Sequence, residues 1–189
     1  MNIKKIKRLL FRIWYYPSMA SLKVVSMIKE PLYKRCSYKL LKQAGVQFTG
    51  IPNFISNDVY LDAFDKISIG ANCVISKHVT FLTHDYSFTT GLRSIGKSVD
   101  SDLQIQDSIK LGNNVFVGLG TILLPGTLIG DDCIIGAGSV VKGAIPSGSV
   151  VAGNPARILC NIEEFTKKKI ANMSKYEVRN QYGQRVCQL

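Results

Sequence analysis

From Ile69 the chain advances in steps of six. The units read IGANCV, ISKHVT and FLTHDY and then, after a gap, IQDSIK, LGNNVF, VGLGTI, LLPGTL, IGDDCI, IGAGSV and VKGAIP. The first position is Ile, Phe, Leu or Val in all ten units. The fifth is small or aliphatic throughout, except at Asp85. Before Ile69 the first position fades through Asn57 and Ala63, while the fifth persists as Ile55, Leu61 and Ile67. A sandwich strand would repeat every two residues and a helix every 3.6, so neither fits. Six residues make one short strand and one turn, and three such units close a triangular rung of about 18 residues. The aliphatic first position fills the interior, and the small fifth position fits where two faces converge. Stacked rungs bury one another's apolar edges. Gly70, Asn72, Gly112, Gly130 and Gly136 fall at turns, where positive φ costs such residues little. Cys73 and Cys133 hold fifth positions and read as small core residues. The expected fold is mainly β: a parallel β-helix over residues 51–160, preceded by a helical segment over 1–50 and closed by a helix over 161–189.

The repeat stops at a histidine and resumes about twenty residues later. His78 and His84 occupy the fourth position of consecutive units, so they point outward from different sides of the prism. His78 sits in an uninterrupted unit and reads as an inert surface residue. His84 is followed by Asp85, a charge where the repeat wants a small apolar side chain, so the chain must leave the coil there. The loop that follows, 87–104, is longer than most structureless connections and points to function.

Charge is distributed unevenly. Residues 1–49 carry 11 Lys and Arg against the single acid Glu30, whereas residues 50–189 carry 13 basic and 12 acidic residues. Ile3, Ile6, Leu10 and Ile13 recur at helical spacing between these cations, and Pro17 is expected to end that helix. Met19 to Ile28 and Pro31 to Ala44 read as two further helices, the last stopping at Gly45. Two uses of the basic segment stand side by side: helices packed on the main domain with a solvated basic face, or a peripheral contact with anionic lipid. No nucleic-acid fold accompanies the charge. The first apolar run is broken by Arg12 and lacks a small-residue cleavage site, which argues against a signal peptide. Five cysteines without metal-like spacing leave an odd thiol, so a disulfide framework is not expected and a reducing cytosol is.

The segments FLTHDYS at 81–87, IKLGNNVFVGLGTILLPGTLIGDDCIIGAGSVV at 109–141 and VVAGNPARI at 150–158 resemble the hexapeptide-repeat acyltransferases. The nearest likeness is to the sugar O-acetyltransferases that act on galactosides, maltose and exopolysaccharides. The resemblance implies a left-handed coil, acetyl-CoA as acyl donor, and a homotrimer with sites between subunits. It makes His84 the general base for a sugar hydroxyl. An Asn or acid one rung earlier, within NDVYLD at 57–62, would orient it, and Asp58, Asn57 and Asp85 are the candidates. Asp62 and Asp65 read as solvated turn carboxylates. Turn backbones at Gly118, Gly136 and Ala137 would line the pantetheine arm, Lys142 and Arg157 would meet the phosphates, and Phe116 stands where relatives often carry Trp. This chain departs from its relatives after AGSVV, where Lys142-Gly143-Ala144 replaces Thr-Lys-Asp.

Such chemistry is within reach of one imidazole. Its pKa near 6.5 lets it take a hydroxyl proton as attack begins, contributing about 10²–10⁴-fold in rate. The thioester is already activated, so neither metal nor covalent nucleophile is required. The expected function is acetyl-CoA-dependent O-acetylation of a building block of capsule, lipopolysaccharide or exopolysaccharide in the cytoplasm. The alternatives are N-acetylation of an amino sugar nucleotide or antibiotic, and an inactive β-helix scaffold. A carbonic anhydrase on this fold needs three histidines, and the chain has two.

Overall fold

A computed structural model describes residues 13–15, 17–18, 20–22, 24–25, 29–180 and 183–186. The start of the expected first helix, residues 1–12, and the thiol of Cys187 lie outside the described residues.

Three parallel sheets form the sides of a prism. Face A stacks β1 (Gln47–Phe48), β4 (Ile67–Ile69), β9 (Ile109–Leu111), β12 (Leu128–Ile129) and β15 (Ala144–Ile145). Face B stacks β2 (Phe54–Ile55), β5 (Val74–Ile75), β10 (Phe116–Val117), β13 (Ile134–Ile135) and β16 (Ser149–Gly153). Face C stacks β3 (Tyr60–Leu61), β6 (Thr80–Phe81), β11 (Ile122–Leu123) and β14 (Val140–Val141). First-position residues Ile69, Ile75, Phe81, Val117, Leu123, Ile135 and Val141 are fully buried, joined by fifth-position Cys73, Val79, Ile109 and Cys133. Each such aliphatic side chain contributes about 1.5–3 kcal/mol by leaving water. The polar fifth positions are buried with partners: Thr127 Oγ1 donates to Leu124 O at 2.7 Å and Ser139 Oγ to Gly136 O at 2.6 Å. Burial pushes both the Cys73 and the Cys133 thiols up from their ordinary range, as inert core positions require.

The glycines answer to a constraint other than the expected one. Gly70, Gly112, Gly130 and Gly136 are not among the positive-φ residues; those turns are made by Asn72, Asn114 and Asp132 at φ 54–58° and by a different set of glycines. Gly70 is required because rungs touch. A Cβ there would lie 2.1 Å from the Gly112 carbonyl oxygen.

Rung length varies. Phe116 pairs with Ile134 on one side, a step of three hexads, and with Val74 on the other, a step longer by the whole excursion. The extra chain leaves the coil after Phe81. The first rung is also long, since Tyr60 pairs with Thr80 and Phe54 with Val74, each step exceeding three hexads by two positions. A short 3₁₀ turn, Phe64–Lys66, takes up the surplus. Ile55 and Leu61 therefore share register with Ile75 and Phe81, which are first positions. The hexad frame slips by two between Leu61 and Ile67, and the sequence concealed the slip because Ile and Leu suit both positions.

Both ends of the prism are covered. At the start, α1 (Glu30–Ala44) ends at Gly45, φ 114°. It buries Tyr33, Leu40 and Leu41, and Tyr33 donates its hydroxyl to Ile55 O at 2.5 Å. The described residues 13–15, 17–18, 20–22 and 24–25 are helical, Pro17 included, where a helix end is expected. At the other end β17 (Ala156–Asn161) folds back antiparallel on β16 through Asn154-Pro155. The closing helix, Ile162–Ala171, has Asn161 Oδ1 accepting the Glu164 N–H at 2.8 Å. It is shorter than the expected 161–189, because Asn172 starts a 3₁₀ turn over Met173–Lys175.

Candidate active site

The excursion after Phe81 is a flap with its own structure. Strand β7 (His84–Asp85) pairs antiparallel with β8 (Ile105–Gln106), and helix α2 (Ser87–Ser94) lies between them. Ile105 was expected to restart the interior, but it belongs to this stem and is 49% exposed. The interior resumes at Ile109. Inside the flap, Thr89 Oγ1 and the Leu103 backbone exchange hydrogen bonds at 2.7 and 3.0 Å, and Arg93 pairs with Asp102 at 2.9 Å.

His84 stands at the foot of the flap, on the corner where face C turns toward face A. Its partner is Asp62, from the preceding rung. Asp62 Oδ2 accepts a hydrogen bond from His84 Nδ1, and also from the Thr83 hydroxyl at 2.8 Å and the Thr83 N–H at 3.1 Å. The Asp62 side chain is 11% exposed and that of His84 33%. Burial works against the Asp62 charge, but hydrogen bonds from Thr83 and His84 outweigh it and hold the carboxyl below its ordinary 3.8. With Nδ1–H engaged by a carboxylate, the lone pair of neutral imidazole lies on Nε2. Tyr86 meets the ring edge-on, centroids 5.4 Å apart.

The candidates for orienting His84 are corrected by this geometry. Asp58 serves the other histidine: its carboxylate lies 3.4 Å from His78 Nδ1 and accepts the Ser56 hydroxyl at 2.6 Å. Burial works against its charge, but hydrogen bonds from the Ser56 hydroxyl and the His78 N–H, with the His78 charge, outweigh it and lower its pKa. Asp58 and His78 are separated by the same step as Tyr60 and Thr80, so both sit at the corner between faces B and C. Asn57 precedes Asp58 on that same corner. Asp85 turns away to brace the flap helix, accepting the Ser87 N–H and hydroxyl at 2.8 Å each. Those two hydrogen bonds lead in holding its carboxyl low, and the Lys142 charge adds to them. Asp62 is not a solvated turn carboxylate. It was hidden by the slip of the frame, and the available signal was Leu61-Asp62 matching Phe81-Leu82 across the longer first rung.

The remaining candidates fall into two groups. Lys142 follows β14 on the same corner column as Asp62, Leu82 and Leu124, near enough to influence Asp85. Gly118, Gly136 and Ala137 lie on the next corner, with His78, and the edge of face C joins the two corners. Phe116 points outward from face B and is exposed. Arg157 sits on β17 opposite Ala152 and spends one N–H on Ala156 O at 2.9 Å. Among the described residues no cluster of three metal-ligating side chains occurs, and no helix is long and apolar enough to cross a membrane.

Comparison with known proteins agrees with the coil. Residues 108–143 match the family model described as bacterial transferase hexapeptide (six repeats). The YvoF protein of Bacillus subtilis (strain 168) is 35% identical over 104 residues, covering 55% of this chain and 53% of that protein. Galactoside O-acetyltransferase of Escherichia coli (strain K12) is 35% identical over 101 residues, covering 53% and 47%. The chain thus spans about half the length of the curated relatives it matches. A solved galactoside acetyltransferase in complex with coenzyme A superposes with a TM-score of 0.57 at 22% identity, covering 93% of this chain and 88% of the other. The expected left-handed parallel β-helix is the fold. Residues 108–143 thus carry the bacterial transferase hexapeptide repeat, on a coil that the chain shares with a solved galactoside acetyltransferase.

Proposed function

We propose that the protein is an acetyl-CoA-dependent O-acetyltransferase acting on a sugar hydroxyl, with His84 as general base. The observation that carries this reading is the hydrogen bond from His84 Nδ1 to Asp62, which leaves Nε2 to accept a proton at the foot of the flap. As the acceptor oxygen attacks a thioester carbonyl, His84 takes its proton. The new C–O ester bond forms, the C–S bond breaks, and His84 returns the proton to the departing thiolate. Asp62 fixes the ring's tautomer and orientation and steadies the transient imidazolium.

The donor is acetyl-CoA. Lys142 and Arg157 offer charge for its phosphates, and Phe116 and the turns at Gly118, Gly136 and Ala137 offer surface for its arm. The likeness to a galactoside acetyltransferase solved with coenzyme A supports that assignment. The working form is a homotrimer with sites between subunits. The acceptor is a building block of capsule, lipopolysaccharide or exopolysaccharide, modified in the cytoplasm, where the basic N-terminal segment is suited to contact anionic lipid.

His84→Ala tests this reading. Thiol release from acetyl-CoA in the presence of sugar acceptors should fall about 10²–10⁴-fold, while oligomeric state and melting temperature stay unchanged. Full turnover by that variant rejects it.

A further inference from the structure

The flap also brings to His84 a residue that the hexad pattern never singled out. His84 and Gln106 are directly opposed across β7 and β8. The Asp107 N–H donates to the Thr83 carbonyl at 3.0 Å, so the backbone bond joins the flanking residues, not the pair itself. His84 and Gln106 are therefore a non-hydrogen-bonded pair. In such pairs the side chains leave the strands on one side and stand closest, with Cβ atoms about 4.5–5.5 Å apart.

Three other polar side chains of this corner are committed. Asp62 holds Thr83 and His84, Asp85 holds Ser87, and Thr89 holds Leu103. Gln106 is exposed, and among the described residues its carboxamide has no hydrogen-bond partner. Its amide tip and the imidazole Nε2 lie equally many bonds beyond Cβ, so the two can reach out side by side. A carboxamide both donates and accepts, which suits a hydroxyl in either role, and it brings no charge to the base beside it. The Tyr86 ring, 51% exposed, stands edge-on to the imidazole and offers an apolar wall beside the same opening.

We propose that Gln106 is a specificity-determining residue: it holds the hydroxyl adjacent to the one that His84 deprotonates, so the acceptor is a vicinal diol of a sugar ring. Neighbouring ring hydroxyls stand at hydrogen-bonding separation, which matches two polar tips presented by opposed residues of one strand pair. The inference rests on His84 acting as the base. It adds a criterion for the acceptor that the base alone does not supply.

The test uses the full chain with acetyl-CoA and a panel of methyl hexopyranosides of galacto, gluco and manno configuration, each beside its monodeoxy analogues. For the acetylated sugar, removing the hydroxyl next to the reacting one should lower kcat/KM roughly tenfold in the wild type. Gln106→Leu should bring the intact sugar down to the level of its deoxy analogue, so that discrimination falls to about one. Gln106→Glu, which keeps reach and an accepting oxygen, should retain part of the preference. Circular dichroism melting of both variants checks that this exposed position leaves the fold alone. A wild type that acetylates the panel, loses activity in His84→Ala, and still discriminates as Gln106→Leu overturns this inference and spares the base. A wild type that acetylates no member overturns both.

Discussion

A single oxygen of Asp62 gathers the histidine ring of His84 and both hydrogen-bond donors of Thr83, binding the rung before the flap to the residue on which the flap begins. The corner proposed to be catalytic is thereby tied to the coil by a side chain and not only by the backbone ladder. Removing that carboxylate should affect chemistry before it affects binding. Asp62→Asn is expected to lower kcat by at least about tenfold with the KM for acetyl-CoA little changed, because in the proposed reaction the residue orients the base and steadies its charged form. Steady-state kinetics at saturating acceptor separates the two constants. An unchanged kcat would show that His84 is held by something else.

The same carboxylate makes a pH-dependent contribution to stability. Its folded-state pKa lies below the ordinary 3.8, so the ionised form is the one that folding favours. The stabilisation is full at pH values above 3.8 and is lost as pH falls through the lower, folded value. Thermal melting of wild type and Asp62→Asn across pH should therefore show a gap that is constant near neutrality and closes in acid. A gap that widens on acidification contradicts the assignment.

Two glycines separate the demands of stacking from those of backbone conformation. Gly70→Ala would place a methyl 2.1 Å from the Gly112 carbonyl oxygen of the next rung, and should cost roughly 3 kcal/mol or more. Gly120→Ala meets nothing within 4 Å but must hold φ +68°, a cost of about 1–2 kcal/mol. Denaturant melts of the two variants should fall in that order.

Asp85 braces the flap helix through two bonds to Ser87, without touching the interior. Its loss as Asp85→Ala should speed amide exchange across 87–94 by roughly fivefold, because the first turn of the helix loses its brace. The global melting temperature should stay within about a degree. Hydrogen exchange read by mass spectrometry resolves the two effects.

What the sequence revealed and what it hid divide along the period of six. Ile69, Ile75, Phe81, Val117 and Leu123 announce the interior because each repeats a buried site at constant spacing. His84 was legible for the opposite reason, since Asp85 breaks the apolar fifth position beside it. Asp62 was not. Its rung exceeds three hexads by two positions, and Leu61 fits either register, so the count pointed to Asp58 and the wrong corner. Gln106 was hidden for another reason. It meets His84 through an antiparallel pair inside the insertion, and no repeat describes that contact.

The returning strand β17 has a consequence for the length of the rod. Parallel rungs leave an open row of amides and carbonyls at each end, onto which another copy's rung could add indefinitely. By reversing direction at Asn154-Pro155, β17 occupies that row on face B with a strand of the wrong polarity to template a further turn. Growth on that face stops there as a matter of geometry. Coils could thus be inserted or deleted upstream of β16 over evolutionary time, and every resulting rod would still finish with the same stopper.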